Sequence, residues 1–208
     1  QGCQARVAPA SPVPCAPQRP HSPQVPAADL PCTCAITHKH LLVSSPSGEV
    51  MQVTLRPHNP ATVSFAAGQH MEWKVQPNPS SPPWYGLFAV SSSPSQFARE
   101  GTLDFIIKLS DFPMTKWIHQ EAQIGDTICL GQGGRGRGSM FLHLQDPPPN
   151  FSKHILLFGG GVGVAPLLSI LREIRGTEEL CASYVVTLVY SAKEWADFLY
   201  VDELQHMC

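Results

Sequence analysis

Apolar and polar residues alternate with a period of two along several short segments of the chain. The apolar positions of these segments are Met51, Val53 and Leu55; Met71, Trp73 and Val75; and Leu103, Phe105, Ile107 and Leu109. Strict alternation predicts half-buried β-strands, and turns rich in glycine, proline and asparagine separate the segments. Another short strand is predicted at 128–130. Short strands of this kind indicate a small antiparallel barrel, which we place at residues 36–150.

The pattern changes to strand, helix and strand in residues 151–208. A short apolar run at 154–157 comes first, and the nearly all-apolar, β-branched segment 184–190 comes last. The helix between them is predicted by one apolar stripe at helical spacing: Leu167, Leu168, Leu171 and Ile174. Pro166 fits the first turn of this helix. The segment thus predicts one βαβ unit, with the second strand covered on both faces.

A glycine-rich turn, 158–166 (FGGGVGVAP), joins the first strand of this unit to its helix. Glycines let the backbone approach a phosphate, and the helix N-terminus offers unpaired N–H groups. A P-loop is disfavoured, because Ala165 and Pro166 stand where a P-loop has lysine and serine or threonine. A dinucleotide is the better ligand, and a tight turn without a ligand is the alternative.

Charge and cysteine usage narrow the classes of function. The net charge of −2 and the pI near 6.5 argue against a nucleic-acid surface. No apolar run approaches the ~20 residues that cross a bilayer. The seven cysteines form no CxxC pair, so we expect no metal site and interpret them as reduced thiols of an intracellular protein.

Residues 1–35 contain eight of the 21 prolines and almost no large apolar residues, so we predict a disordered leader. Arg6 and Arg19 precede the first acidic residue, Asp29, as in a transit peptide. We therefore expect an intracellular, mitochondrial location, although the prolines disfavour the amphipathic helix of such a peptide.

Motifs over residues 49–208 resemble those of the ferredoxin-NADP reductase-like flavoproteins, in the same order. The motifs are residues 65–69 (FAAGQ), 92–94 (SSP), 115–119 (TKWIH), 125–126 (GD), 131–134 (GQGG), 160–166 (GGVGVAP), 190–193 (YSAK) and 197–204 (DFLYVDEL). The resemblance implies an antiparallel FAD-binding-type barrel followed by an incomplete parallel, Rossmann-like NAD-binding domain.

The resemblance also implies two cofactors, FAD and NAD(P)H, and an electron acceptor of unknown identity. It assigns Phe88, Ser92 and Thr115 to the flavin. It assigns eight residues to the nicotinamide dinucleotide: Gly160, Gly161, Val162, Gly163, Val164, Pro166, Ser191 and Lys193. The cofactors carry the hydride chemistry in this family, so we expect no catalytic side chain.

Two features depart from the family pattern. Gly86 and Ala89 stand where the flavin strand has an arginine for the pyrophosphate and a hydroxyl near the flavin N5. A charge-assisted contact to phosphate contributes about 1.5–3 kcal/mol, so the sequence predicts weak FAD binding. Arg135 and Arg137 either lie in a flexible turn or supply the missing cation.

The family continues beyond the position of Cys208, with further strands and residues of the nicotinamide site. We therefore expect a truncated product that is inactive alone. Two hypotheses follow from the sequence. The first is a flavin-dependent NAD(P)H oxidoreductase that transfers hydride between nicotinamide and FAD. The alternative is a non-catalytic module that at most binds flavin or nucleotide.

Overall fold

The computed structural model describes residues 32–138 and 153–207. Its larger part is an antiparallel sheet of the six strands β1 (Cys32–Ser45), β2 (Gly48–Pro57), β3 (His70–Val75), β4 (Trp84–Ala89), β5 (Leu103–Lys108) and β6 (Thr127–Leu130). Their order in the sheet is β4-β3-β6-β1-β2-β5. The sheet is barrel-like but not closed, and an isolated bridge between Val90 and Phe105 links its two edges. The predicted antiparallel barrel is confirmed.

Alternating side chains of the sheet fill the barrel interior, as the period of two predicts. Trp73 and Phe105 are completely buried there, with ring centroids 4.8 Å apart in an edge-to-face arrangement. Two helices, α1 (Pro94–Glu100) and α2 (Pro113–Gln120), interrupt the strand sequence on either side of β5. Helix α2 packs its buried face on this core through Met114, Trp117 and Ile118, which follow helical spacing.

Strand β1 begins at Cys32, so residues 32–35 belong to the sheet and not to the predicted leader. Residues 1–31, the rest of that leader, lie outside the described ranges. Strand β1 pairs with β2 in a long hairpin whose register shifts twice within residues 36–43. These shifts and the polar run His38-Lys39-His40 interrupt the alternation, which explains why the sequence pattern did not reveal the strand.

The second unit contains two parallel strands, β7 (Lys153–Gly160) and β8 (Tyr184–Ser191). Helix α3 (Ala165–Gly176) lies between them in sequence, as predicted, and is followed by α4 (Glu178–Ser183). A last helix, α5 (Val201–Met207), follows β8. One face of the strand pair is covered by buried side chains of α3: Leu167, Ile170 and Ile174.

The opposite face of the two-stranded sheet is exposed. Leu156, Phe158, Val185 and Val189 point outward there, with 57%, 68%, 47% and 45% of their surfaces accessible. The prediction that β8 is covered on both faces is wrong within the described ranges. The reason is that α3 and α4 both pack on the other face of the strand pair.

An apolar contact joins the two units beside the glycine-rich turn. It contains Val43, Val50 and Ile106 from the barrel and Val164, Ala165, Leu168 and Leu199 from the second unit. A polar contact reinforces it, because Ser169 Oγ of α3 donates to Ser92 O at 2.8 Å. The start of α3 therefore faces the barrel, and the turn before it lies at the junction of the two units.

Within residues 32–138 and 153–207, no helix has the length and apolar character needed to span a bilayer. The same ranges contain no group of three or more His, Cys, Asp or Glu side chains arranged to hold a metal ion. Cys32, Cys34, Cys129 and Cys181 are free thiols.

Candidate functional site

The glycine-rich turn between β7 and α3 exposes backbone rather than side chains. Strand β7 ends at Gly160, and Gly161–Val164 form a 3-10 turn that leads directly into α3. Gly161 has a φ of +50°, a left-handed conformation that favours glycine. At Gly159 an added Cβ would lie 2.9 Å from Leu167 Cδ1, so glycine allows α3 to pack closely on β7.

A cavity of about 380 Å³ lies between this turn and the barrel. Its barrel side is formed by the β1–β2 turn and by the end of β5. Five of the eight residues assigned to the dinucleotide line the cavity: Gly160, Gly161, Val162, Ser191 and Lys193. The other three do not line it. Gly163 is exposed, and Val164 and Pro166 are buried below the turn. We call this cavity the interdomain cleft.

Two lysines and one aspartate give the interdomain cleft its charge. Lys193 was assigned from the sequence, whereas Lys108 was not, because the pairing of β5 with β2 brings it to the cleft. The carboxylate of Asp197 accepts a hydrogen bond of 2.5 Å from Ser45 Oγ. This bond, a second one from Ser47 and the nearby Lys108 ammonium lower the pKa of Asp197. Two cations and one anion leave a single positive charge, which suits a phosphate group.

Tyr190 fixes the glycine-rich turn from the end of β8. Its hydroxyl donates to Gly161 O at 3.1 Å and accepts from Leu199 N at 3.1 Å. Its ring packs edge-to-face on Phe198, with centroids 5.0 Å apart. Burial raises the pKa of Tyr190, which keeps the hydroxyl protonated and able to donate. Sequence analysis placed Tyr190 in a motif but did not predict this contact.

Known proteins resemble the chain in sequence and in fold. No family model matches the chain. It is 29% identical over 171 residues to oxidoreductase NAD-binding domain-containing protein 1 of Danio rerio, a match covering 80% of this chain and 59% of that protein. The protein of the same name from Bos taurus is 30% identical over 144 residues, covering 66% of this chain and 43% of that protein.

Among solved structures, a ferredoxin-NADP+ reductase from Plasmodium falciparum with 2'P-AMP superposes with a TM-score of 0.66 at 22% identity. The match covers 85% of this chain and 67% of that one. The chain is thus similar in sequence to oxidoreductase NAD-binding domain-containing protein 1. Its fold is that of the ferredoxin-NADP+ reductases. It spans about half the length of the curated relatives that it matches.

Phe88, the first residue that the resemblance assigns to the flavin, packs on the barrel core. Its ring centroid lies 4.8 Å from that of Trp73. The β3–β4 register puts Gly86 opposite Trp73 and Phe88 opposite Met71, so both share the side of these buried residues. A Cβ on Gly86 would lie 2.9 Å from Phe88 Cε2 and 3.0 Å from Met114 Sδ. The space for the family's arginine is therefore already filled.

Thr115 and Ser92, the other two flavin positions, are buried and hydrogen-bonded within the protein. Thr115 Oγ1 donates to Phe112 O at 2.9 Å and contacts Ser110 Oγ at 2.9 Å. Ser92 Oγ accepts from Asp104 N at 3.1 Å, in addition to the Ser169 bond to its carbonyl. Both hydroxyls are thus used to hold local structure.

The two arginines that could replace the missing cation lie in a stretch tied to the barrel. Arg137 Nη1 lies 3.3 Å from Glu72 Oε2. Isolated bridges join Arg137 to His70 and Arg135 to Ser64, so this stretch is not a free turn. Gly86, Ser92 and Thr115 therefore supply neither the family's cation nor a free hydroxyl for a flavin pyrophosphate.

Proposed function

We propose that this chain binds a nicotinamide dinucleotide, NADH or NADPH, in the interdomain cleft, as part of an oxidoreductase of the ferredoxin reductase-like class. One observation carries the proposal. The glycine-rich turn and two lysines from different units, Lys108 and Lys193, line the same cavity. The homologues named as NAD-binding oxidoreductases support the reaction class.

The turn and the lysines have distinct roles in this proposal. The backbone of Gly160 and Gly161 allows close approach of the pyrophosphate, and the start of α3 adds a favourable field. Lys108 and Lys193 contribute the charge that offsets the phosphates. The bound nicotinamide would supply the hydride. The Plasmodium falciparum reductase, solved with 2'P-AMP, supports an adenosine phosphate as the ligand class.

A second candidate is a dinucleotide-binding module without oxidoreductase activity. The filled space at Gly86 and the internally bonded Thr115 favour it, because a family reductase passes its hydride to a flavin. We propose no step through FAD, since its assigned positions do not fit. The mitochondrial location remains a proposal that rests on the sequence.

Binding of NADH and NADPH by calorimetry tests the proposal directly. Gly160→Asp places a carboxylate at the expected pyrophosphate position and should weaken binding at least about tenfold, ~1.4 kcal/mol. Gly160→Ala is the matched control. Residue 160 has an extended backbone with φ of −131°, and a Cβ there meets Ser191 Oγ at 3.4 Å, an ordinary contact.

Lys193→Met should also weaken binding, whereas Lys74→Met, on the exposed side of β3, should not. Equal affinity of wild type and Gly160→Asp would contradict the proposed site. Oxidation of NADPH by two equivalents of ferricyanide, with FAD added to take up the hydride, separates the two candidates. Binding without turnover favours the module, and turnover favours the oxidoreductase.

A further inference from the structure

We propose that Asp197 is a positioning residue for the interdomain cleft, and that it acts on Lys108 through the turn Ser45–Gly48. This inference rests on the proposed function, because it concerns the same cleft. It adds a role for a carboxylate in an anion site, and it gives the β1–β2 hairpin a part in ligand binding.

The first observation is a hydrogen bond between the two units at the tip of the hairpin. Asp197 lies in the short 3-10 turn Trp195–Asp197 after β8, and its Oδ1 accepts from Ser45 Oγ at 2.5 Å. Ser45 Oγ in turn accepts from Ser47 N at 3.1 Å. The carboxylate is thus bonded to the turn, and the turn is fixed to the second unit.

The second observation links this turn to Lys108. Gly48 has a φ of +117°, and a Cβ there would lie 3.2 Å from Lys108 Cε and 4.0 Å from Lys108 Nζ. The lysine stem therefore runs directly over the glycine. The ladder between β2 and β5 supports the placement, since Val50 pairs with Lys108 and Leu109 N donates to Glu49 O at 2.9 Å.

Together these contacts form a path from Asp197 through Ser45 and Gly48 to the ammonium of Lys108. A lysine stem has several rotatable bonds, and a bound phosphate gains most from a cation that is already held in place. The turn limits the positions that the stem can take. Loss of the Asp197 bond would free the turn and with it the lysine.

A positioning role and a purely electrostatic role for Asp197 predict opposite changes in NADPH affinity when Asp197 is replaced by alanine, which makes the proposal testable. Asp197→Ala removes a negative charge from an anion site and, by charge alone, should tighten NADPH binding. Positioning predicts that this variant binds NADPH about three- to tenfold more weakly than wild type. That loss is smaller than the roughly tenfold or larger loss expected for Lys108→Met, because the lysine is still present. Asp197→Asn keeps the acceptor for Ser45 and should bind at least as tightly as wild type.

A double-mutant cycle separates positioning of Lys108 from general loosening of the structure. In a Lys108→Met background, Asp197→Ala should change the affinity for NADPH by less than about twofold, because its effect passes through the lysine. Ser45→Ala approaches the same contact from the other side and should mimic Asp197→Ala. Asp202→Asn, an exposed carboxylate of α5, is the control for net charge.

The proposal is overturned if Asp197→Ala binds NADPH as tightly as wild type or more tightly, or if its effect adds fully to that of Lys108→Met. Melting temperatures identify a variant that has lost its fold. If Asp197→Ala is unfolded, the affinity of Ser45→Ala for NADPH tests the proposal in its place. Failure of the proposed function looks different. If the proposed function is wrong, wild type and Gly160→Asp show the same affinity for NADPH. If only the positioning role is wrong, Gly160→Asp still binds NADPH more weakly, and only the Asp197 and Ser45 variants bind it as wild type does.

Discussion

Arg172 of α3 donates through Nη1 to the backbone oxygen of Ser91, 2.9 Å away, and so joins the helix after the glycine-rich turn to the segment that follows β4. The other two nitrogens of the same guanidinium bind Glu203 of α5, each at 2.7 Å. The ring of Tyr200 lies 5.2 Å from the guanidinium carbon. One largely buried side chain therefore holds three parts of the chain together.

Replacement of Arg172 should weaken the junction of the two units. We expect Arg172→Met to lower the free energy of unfolding by about 2–3 kcal/mol, because it leaves Glu203 and the Ser91 carbonyl without this partner. Urea unfolding measures the loss. Arg175→Met, an exposed arginine of the same helix, should change stability by less than about 0.5 kcal/mol. Similar losses in both variants would contradict a special role for Arg172.

Arg172→Lys distinguishes geometry from charge at this position. A lysine retains the positive charge but lacks the planar fork that bonds two oxygens of Glu203 at once. We expect it to recover less than half of the lost stability. Full recovery would show that charge alone holds α3 to α5.

The contacts of Arg172 with Ser91 and Glu203 could not be predicted from the sequence, whereas most helices and strands could. Local periodicity defines the strands Gly48–Pro57 and Leu103–Lys108 and the helix Ala165–Gly176, because alternation and helical stripes depend on near neighbours. The contacts of Arg172 and Lys108 depend on residues far apart in sequence. A lysine at a strand end carries no local signal of the cleft that it lines.

Substitution of Gly86 tests whether the family's flavin strand can be restored. The sequence alone suggests that Gly86→Arg, together with Ala89→Ser, should improve FAD binding. The structure predicts instead that Gly86→Arg forces apart Phe88 and Met114 and lowers stability by about 1–3 kcal/mol, as overpacking does. We also expect no gain in FAD affinity, measured by fluorescence quenching.

Leu87→Arg is the matched control for this substitution. Leu87 is the neighbouring residue on β4, points to the opposite side and is 59% exposed, so an arginine there should leave stability within about 0.5 kcal/mol. A stable Gly86→Arg variant with stronger FAD binding would show that Phe88 moves readily and that the flavin site is intact.

The exposed face of the two-stranded sheet should make the protein prone to self-association. Phe158 and Val189 pair directly across β7 and β8 and are 68% and 45% exposed, so they form one apolar surface. We expect Phe158→Ser with Val189→Thr to reduce binding of an apolar dye and light scattering at high concentration. Ile124→Ser removes an exposed isoleucine from the barrel and should have little effect. A comparable reduction in that control would assign the association to another surface.

The carboxylate of Asp197 should make part of the stability depend on pH. Hydrogen bonds from Ser45 and Ser47 hold its pKa below the ordinary value of 3.8, with a backbone bond from Glu194 and the charge of Lys108 adding to the effect. A depressed folded-state pKa stabilises the protein above the unfolded value, and this contribution is lost as the pH falls through the folded value. Asp197→Asn keeps the acceptor but has no charge to lose.

We therefore expect the urea midpoint of wild type to exceed that of Asp197→Asn at pH 6 and to approach it as the pH falls below about 4. Lys108 keeps its charge throughout this range, so it cannot produce the convergence. A difference that stays constant from pH 6 to pH 3 would show that the ionised carboxylate does not stabilise the contact with the hairpin.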